Sequence, residues 1–384
     1  MISTRNGFAA LAGLLGVRAL GRMLATGAGD PIGVAAPLAE AGPVAVIVPV
    51  LNENARLAPC LDGLLAQSAA LVQIVVVDGG STDGTAALVR AYARRDARVQ
   101  LVDAAPIPEH WNGKAWGLAT GLAATDPMAR WILCVDADVR PLPQFIDSLL
   151  AHAEHAYLDA FSAAPLLQLS GALEALLHPA LLATLVYRNG LPGNVARTER
   201  DVTANGQCFF ARRETLVATG AFAAAKASRC DDVTVARHLV RSGAQVGFFE
   251  GGRLAHVRMY ESLTDCARNW PRSLTLRDAS SSRLGLTLAF AELALVQALP
   301  LVVVLWTLAR RAETDTFFFR LNLAFALARF GVLAGTRRAY ARPAWTYWLS
   351  PLADIPALML IVAASANRAP RWRGRTLVPE GRHA

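Results

Sequence analysis

Lysine is almost absent from this chain. Lys114 and Lys226 are the only lysines among 38 basic residues, so arginine carries nearly all of the formal net charge of +8. Basic residues are not interleaved with aromatic residues, and no known nucleic-acid-binding module is present. We therefore expect no nucleic acid partner. A basic chain with long apolar runs suits an anionic membrane surface instead.

Cysteine is also scarce, and its spacing is irregular. The five cysteines form no C-x-x-C pair; they are Cys60, Cys134, Cys208, Cys230 and Cys266. An odd number without framework spacing argues for a reducing compartment and against structural zinc. Cys134 lies inside an apolar run and is expected to be a small core residue.

Residues 44–250 contain short apolar runs that alternate with helical patterns. The predicted strands are Val44–Pro49, Ile74–Asp78, Val99–Asp103, Trp131–Val135, Cys208–Arg212 and Val246–Glu250. The predicted helices are Leu57–Gln67, Thr85–Arg94, Lys114–Ala124, Leu142–His155, Leu173–Tyr187 and Asp232–Arg241. This alternation is typical of a mostly parallel sheet covered on both faces, so we predict an α/β fold.

Three apolar runs follow the predicted sheet domain: Gly285–Trp306, Phe317–Leu333 and Trp345–Ala364. The first has about 22 residues and one charge, Glu292, so it is long enough to cross a bilayer. The other two contain charges that are costly in lipid unless they pair or face protein. Spans, re-entrant segments and interfacial helices therefore remain open for these two runs.

The amino-terminal apolar segment, residues 7–17, has eleven residues and is too short for a span of about 20. We expect an interfacial or marginal anchor helix here rather than a signal peptide, although the short apolar core after Arg5 fits both. The predicted divisions are residues 1–42 for this helix and a linker, 43–280 for the sheet domain, and 281–384 for a membrane-associated helical region with a basic tail. A cytoplasmic sheet domain and a cytoplasmic tail require an even number of spans, which excludes one of the three carboxy-terminal runs if the amino-terminal segment does not cross.

Polar residues follow three of the predicted strands. Asp136 and Asp138 come directly after Trp131–Val135 and lie two residues apart, so both point to one side of the strand end. Open α/β sheets bind ligands at this edge, and a pair of carboxylates there suits Mg²⁺ that also carries phosphate oxygens. Asn52 and Glu53 follow the first strand, where a platform for a nucleotide base or a simple turn would fit.

The second strand ends at Asp78, which can accept hydrogen bonds from a base or ribose. Gly79 and Gly80 come next and permit close backbone approach. This loop has neither the G-x-G-x-x-G of dinucleotide folds nor the G-x-x-x-x-G-K of P-loops, which argues against a dehydrogenase and an ATPase. A second acidic pair, Asp231 and Asp232, opens a predicted helix, where local evidence alone favours helix capping.

Three motifs in this order, V-P-V-L-N-E, V-V-D-G-G-S-T-D-G-T and V-D-A-D, resemble the nucleotide-sugar core of family 2 glycosyltransferases, which have the GT-A fold. The resemblance covers about residues 43–275. Within the family it is greatest to membrane-attached hopanoid-associated and carotenoid glycosyltransferases. The segments that carry this finer likeness are Trp111–Trp116, Asn205–Gln207, Val257–Tyr260 and Trp372–Arg375.

The resemblance implies roles for most of these residues. The nucleoside, expected to be uridine-like as in a UDP-sugar, would be held by Pro49, Asn52, Glu53 and Asp78. The diphosphate would be held by Mg²⁺ or Mn²⁺ on Asp136 and Asp138, with Lys114 nearby. Asp232 would be the general base, and Asp231 stands where the family usually has Glu.

The segment Arg268-Asn269-Trp270-Pro271-Arg272 departs from the Q-x-x-R-W of processive relatives. Either arginine would neutralise charge on the leaving group, or both would lie at the membrane surface with Trp270. His256 is expected to be structural.

The resemblance implies an inverting, metal-dependent transfer of a sugar to a lipid hydroxyl at the cytoplasmic membrane, with the catalytic domain on the cytoplasmic face. The alternatives are a processive polysaccharide synthase, a catalytically silent membrane adaptor and, more remotely, a nucleotidyltransferase.

Overall fold

The computed structural model describes residues 4–26, 29–38, 42–228, 230–274, 283–366, 371–372 and 375–376. Arg229 and most of the basic tail, including part of the Trp372–Arg375 segment, lie outside this part of the chain. The strands are β1 (Val44–Val50), β2 (Leu71–Asp78), β3 (Val99–Asp103), β4 (Trp131–Val135), β5 (Val139–Pro141), β6 (Ala160–Ala164), β7 (Leu166–Leu167), β8 (Asn194–Val195), β9 (Cys208–Arg212), β10 (Val246–Glu250), β11 (Ala255–Val257), β12 (Arg371–Trp372) and β13 (Arg375–Thr376).

The helices alternate with these strands and continue after them. They are α1 (Thr4–Thr26), α2 (Asn54–Leu65), α3 (Thr85–Ala93), α4 (Gly113–Ala124), α5 (Phe145–His155), α6 (Ala172–Asn189), α7 (Arg213–Thr219), α8 (Ala221–Ala224), α9 (Asp231–Arg241), α10 (Leu263–Ser273), α11 (Arg283–Glu292), α12 (Leu299–Ala309), α13 (Phe317–Thr336) and α14 (Asp354–Ala366). A π-helical segment, Leu293–Ala298, joins α11 to α12, and 3₁₀ segments at Arg337–Ala339 and Trp345–Ala353 lie on either side of the turn between α13 and α14.

Eight strands form the central sheet in the order β3-β2-β1-β4-β9-β6-β10-β8. β1 pairs in parallel with β2 and β4, as do β2 with β3 and β6 with β10. β9 runs antiparallel between β4 and β6, and β8 runs antiparallel to β10. A three-stranded sheet, β5-β11-β7, stands beside it. The predicted, mostly parallel α/β sheet is confirmed.

Both faces of the sheet are covered, as the apolar runs of its inner strands require. One face packs against α2, α3 and α5, where Leu61 and Leu149 are completely buried. The other packs against α4, α8 and α9, and the strand residues Ile47 and Val75 and Leu239 of α9 are completely buried in this second cluster. Because β1 pairs in parallel with both β2 and β4 between these two helix layers, the carboxyl ends of the three strands lie side by side at one edge of the sheet.

Among the described residues, four helices are long and apolar enough to cross a membrane: Gly7–Thr26, Leu284–Ala309, Phe317–Ala339 and Trp345–Ala366. The first corrects the prediction of an eleven-residue segment too short to span, because α1 continues through Arg18 and Arg22. Arg22 is accommodated by an ion pair with Glu292 and by donating to the backbone oxygen of Tyr187. Because three candidates still follow the sheet domain, a sheet domain and a tail on the same side would require that one of these three does not cross. The division at residues 42 and 280 stays a prediction.

The charged residues inside the apolar runs are paired. Arg329 and Asp354 form an ion pair with an Nε–Oδ2 distance of 2.9 Å, and their side chains are 2% and 1% exposed. Gln297 and Ser350 complete this cluster through hydrogen bonds to Asp354 and Arg329. Charged residues are tolerated in an apolar setting when they are paired, and here the pairs form between different helices.

Candidate active site

A cavity of 1170 Å³ opens at the carboxyl ends of the strands. Its lining includes all but one of the site residues predicted from sequence: Pro49, Asn52, Glu53, Lys114, Asp136, Asp138, Asp231, Asp232 and Arg272. The exception is Asp78, whose neighbour Gly79 lines the cavity in its place. Residues from five separate stretches of sequence thus meet at one place.

Lys114 lies at the start of α4 and faces a group of carboxylates. Its Nζ is 2.8 Å from Oδ1 of Asp136 and 3.4 Å from the backbone oxygen of Gly206. Burial alone would lower the pKa of Lys114, but the charges of Asp136, Asp231 and Asp232 outweigh burial and raise it. The lysine is therefore a fixed positive charge, which suits a point contact to a phosphate.

Asp138 holds a buried oxygen that lacks a partner. Within the described residues, no donor reaches its Oδ1. Loss of hydration, followed by the charge of Asp136, raises the pKa of Asp138 to about 7, while Arg56 opposes this shift. An unpaired carboxylate oxygen beside a second carboxylate is the donor set expected for a hard divalent cation.

Protein groups alone do not complete a metal site at this point. Among the described residues, no group of three or more His, Cys, Asp or Glu side chains is arranged to hold a metal ion. Mg²⁺ commonly takes one or two carboxylates and fills its remaining positions with water and substrate phosphates. Asp136 and Asp138 fit a metal that binds together with a diphosphate.

Asp231 and Asp232 occupy the first turn of α9, and neither is its cap, because Cys230 precedes them in that position. The backbone N–H groups of Val233 and Gly206 lie near Asp232 and act to lower its pKa. Loss of hydration and the neighbouring charge of Asp231 raise the pKa of Asp232 to about 6, against the opposing charge of Lys114. A carboxylate with this pKa can accept a proton near neutral pH.

The loop after β1 is organised by hydrogen bonds to the loop after β2. Asn52 adopts a left-handed backbone conformation, with φ of 56°, and its Oδ1 accepts from the backbone N–H of Thr82 at 2.9 Å. Oδ1 of Asp78 accepts from the backbone N–H groups of Gly80 and Ser81 and from the hydroxyl of Ser81. These contacts shape the rim of the cavity, and nucleoside contacts by Asn52 and Asp78 stay predictions.

Glu53 has a partner that sequence reasoning missed. Arg56 donates from Nε and Nη2 to the two carboxylate oxygens of Glu53, at 2.9 and 3.0 Å. Arg56 also lines the cavity and carries its charge towards Asp138. The spacing of three residues at the start of a helix was a signal for this pair, because such residues share a helix face.

Helix α10 forms another wall of the cavity. Arg272 lines it and donates from Nη2 to Oδ1 of Asn269 at 2.7 Å, and burial lowers the pKa of Arg272. Trp270 is buried, with its ring centroid 3.9 Å from that of His178. The alternative that places Trp270 at a lipid interface is therefore wrong. His256 lies on β11 with Nδ1 3.1 Å from Nε2 of Gln168, in keeping with a structural role.

An open α/β sheet with an acidic cavity at its carboxyl edge is the arrangement typical of a nucleotide-binding enzyme domain. Residues 45–215 match the family model for Glycosyl transferase family 2. This chain therefore contains a family 2 glycosyltransferase domain, which confirms the family expected from the sequence motifs.

Two curated relatives align with part of the chain. The lipopolysaccharide core biosynthesis glycosyltransferase LpsC of Rhizobium meliloti (strain 1021) is 32% identical over 115 residues, which are 29% of this chain and 38% of LpsC. The uncharacterized glycosyltransferase EpsJ of Bacillus subtilis (strain 168) is 29% identical over 116 residues, 30% of this chain and 32% of EpsJ. The chain spans about a third of the length of these relatives.

One solved structure is similar over nearly the whole chain. The mannosyltransferase PcManGT from Pyrobaculum calidifontis, in complex with GDP-Man and Mn²⁺, matches with a TM-score of 0.53 and 19% identity. The match covers 93% of this chain and 98% of PcManGT. At this identity the likeness concerns the fold, and it confirms the predicted GT-A fold with apolar helices attached. The finer likeness to hopanoid-associated and carotenoid enzymes stays a prediction.

Proposed function

We propose that this protein transfers a sugar from a nucleotide-diphosphate sugar to a hydroxyl group of a membrane lipid, with inversion. The observation that carries the proposal is the meeting of Lys114, Asp136, Asp138 and Asp232 in one cavity. Lys114 and the proposed metal ligands would bind a diphosphate. Asp232, whose pKa is raised, lies in the same cavity and would accept the proton of the acceptor hydroxyl.

Donor binding is assigned to the ends of the first strands. Asp136 and Asp138 would hold Mg²⁺ or Mn²⁺, which supplies positive charge for the departing diphosphate. Lys114 adds a fixed charge to the same group, and Arg272 approaches it from α10. PcManGT contains GDP-Man and Mn²⁺, and we propose the same two classes of ligand here, with a UDP-sugar as the donor expected from the sequence.

The transfer is a single displacement. The acceptor oxygen forms a bond to the anomeric carbon while the bond from that carbon to the diphosphate oxygen breaks, and its electron pair leaves with the diphosphate. Asp232 accepts the proton of the acceptor hydroxyl as the new bond forms. The backbone N–H groups of Gly206 and Val233 lie near this carboxylate.

The acceptor is proposed to be a lipid because the cavity continues towards the apolar helices. Its walls beyond the carboxylates include Leu182, Leu185 and Val186 of α6, together with Gly335 at the end of α13. Gly335 is exposed and belongs to the candidate span Phe317–Ala339. The cavity therefore has a mouth where a membrane helix ends, which suits an acceptor that stays in the bilayer.

We place the protein in the cytoplasmic membrane, with its catalytic domain on the cytoplasmic face. Four of the five cysteines are buried, and their irregular spacing suits a reducing compartment. Three of the four candidate spans follow the catalytic domain, so this domain and the basic tail share one side only if one of those three does not cross the membrane.

A donor screen tests the proposal. The full chain, purified in detergent and returned to vesicles of total membrane lipid, is given radiolabelled nucleotide sugars with Mn²⁺ or with EDTA. We expect label in the lipid extract with at least one donor, and only with the metal. Polymer of increasing length would instead indicate a processive synthase. Absence of both transfer and metal-dependent donor binding would overturn the proposal in favour of an adaptor.

A further inference from the structure

The tripeptide Asn205-Gly206-Gln207, called here the 205–207 bridge, contacts three parts of the site. The backbone N–H of Asp136 donates to the oxygen of Gln207 at 3.2 Å. The oxygen of Gly206 accepts from Nζ of Lys114 at 3.4 Å, and the Cα of Gly206 faces the side chain of Asp232, whose Cβ lies 3.4 Å from the position that a Cβ on Gly206 would take. One short backbone segment therefore joins the metal-binding strand end, the lysine and the base.

Side-chain hydrogen bonds fix the backbone of this bridge. Nδ2 of Asn205 donates to Oε1 of Gln207 at 3.1 Å, and the N–H of Gln207 donates to Oδ1 of Asn205 at 2.9 Å. The N–H of Asn205 donates to Oγ of Ser162, a completely buried residue of β6. The 205–207 bridge cannot move aside without breaking these three partly buried hydrogen bonds.

The missing side chain of Gly206 leaves room for the ammonium group of Lys114. A Cβ placed on Gly206 would lie 2.9 Å from Nζ of Lys114 and 3.4 Å from Cβ of Asp232. Gly206 does not have the left-handed φ that would itself call for glycine. The ammonium group ends a flexible side chain, whereas Cβ of Asp232 is fixed to α9, so a methyl group here would displace Lys114 first.

We propose that Gly206 is a positioning residue whose missing side chain allows Lys114 to stand between Asp136 and Asp232. The inference rests on the proposed function, since it assigns Gly206 to the geometry of that reaction. The backbone oxygen of Gly206 accepts from Lys114, and its Cα faces Asp232. Gly206 thereby fixes the distance between the cation proposed for the leaving group and the base proposed for the acceptor.

The first test follows Lys114 directly and does not depend on activity. The chain has only two lysines, Lys114 and the exposed Lys226, so ¹³Cε-lysine labelling gives two side-chain signals. In Gly206→Ala we expect the Lys114 signal to shift and the Lys226 signal to stay in place. Gly171→Ala is the control, because a Cβ at Gly171 meets no atom within 4 Å. An unmoved Lys114 signal in Gly206→Ala would overturn the inference.

The second test is kinetic. We expect Gly206→Ala to lower kcat about tenfold or more, with an unchanged melting temperature and a KM for the acceptor within about threefold of wild type. In a Lys114→Ala background the same change should cost little more, because residues that act through one another are not additive. Full additivity, or wild-type kcat in Gly206→Ala, would refute the positioning role. If the wild-type protein transfers no sugar, the proposed function fails, and the lysine spectrum still decides the role of Gly206.

Discussion

Replacement of Asp232 by Asn is the most direct test of the chemistry. The change keeps the size of the side chain and leaves Lys114, Asp136 and Asp138 in place for the donor, but the amide cannot accept a proton. General bases contribute typically about 10²–10⁴-fold to a rate. At about 1.4 kcal/mol for each factor of ten, the barrier should rise by about 3–5 kcal/mol.

The dependence on pH gives this prediction a second measurement. Burial and the charge of Asp231 raise the pKa of Asp232 to about 6, so its proton is retained to a higher pH than in an ordinary Asp. Because the base must be free of its proton, and saturating Mn²⁺ keeps Asp138 deprotonated, wild-type kcat/KM measured at saturating Mn²⁺ should rise about tenfold per pH unit below 6 and become level above it. Asp231→Asn is the matched control. It removes a charge that raises this pKa, so the acid limb should move to lower pH.

The assay follows label transferred to lipid between pH 4.5 and 8, with donor affinity measured separately by calorimetry. We expect Asp232→Asn to lose turnover and the acid limb together, while donor affinity stays within about threefold of wild type. Wild-type turnover in Asp232→Asn, or an acid limb that persists in this variant, would refute the assignment of Asp232 as the base.

Three further changes test the metal site, the helical region and the acceptor route. Asp138→Ala should weaken Mn²⁺-dependent donor binding in calorimetry and leave binding in EDTA unchanged. Arg329→Ala leaves Asp354 as an unpaired buried charge and should cost about 3–5 kcal/mol of stability in thermal or denaturant unfolding. Gly335→Trp fills the mouth of the cavity and should slow transfer to lipid about tenfold without changing donor affinity.

Each of these changes has a contrasting result or control. If Asp138→Ala bound the donor in Mn²⁺ as tightly as the wild type does, that result would contradict the metal site. Arg320→Ala breaks an exposed ion pair with Asp315 and should cost at most about 1 kcal/mol, so a loss equal to that of Arg329→Ala would contradict the role of burial. Gly331→Trp, at an open position of α13 that does not line the cavity, should leave transfer unchanged.

The strands of the sheet were predictable where their residues themselves favour a buried strand. All six strands expected from Val-, Ile- and Phe-rich runs are present, several with the same bounds. β6 was missed, because Ala160–Ala164 is rich in alanine and has little preference for strand. It is a strand because β9 and β10 lie on either side of it, and no local signal reports neighbours that come some 50 and 90 residues later.

In the candidate site too, features with a local sequence signal were predictable and features set by distant residues were not. Carboxylates at strand ends could be recognised because strand geometry fixes where they point. The partners of those groups could not, since the contact of Gly206 with Lys114 joins residues 92 positions apart. The segment Asn205–Gln207 was visible in sequence only as a mark of likeness, and its physical role is defined by what surrounds it.

The buried charges of the apolar helices also have partners that are distant in sequence. An unpaired charge in lipid is costly. Considered alone in the sequence, each of the three charged residues Glu292, Arg329 and Asp354 therefore argues against a membrane span. Arg22 pairs with Glu292 across 270 positions, and Arg329 pairs with Asp354. Each pair joins two different helices, so the cost falls only when those helices assemble. The four apolar helices are therefore best understood as one interdependent bundle, and α6, which contacts this bundle and lines the cavity, connects the bundle to the candidate site.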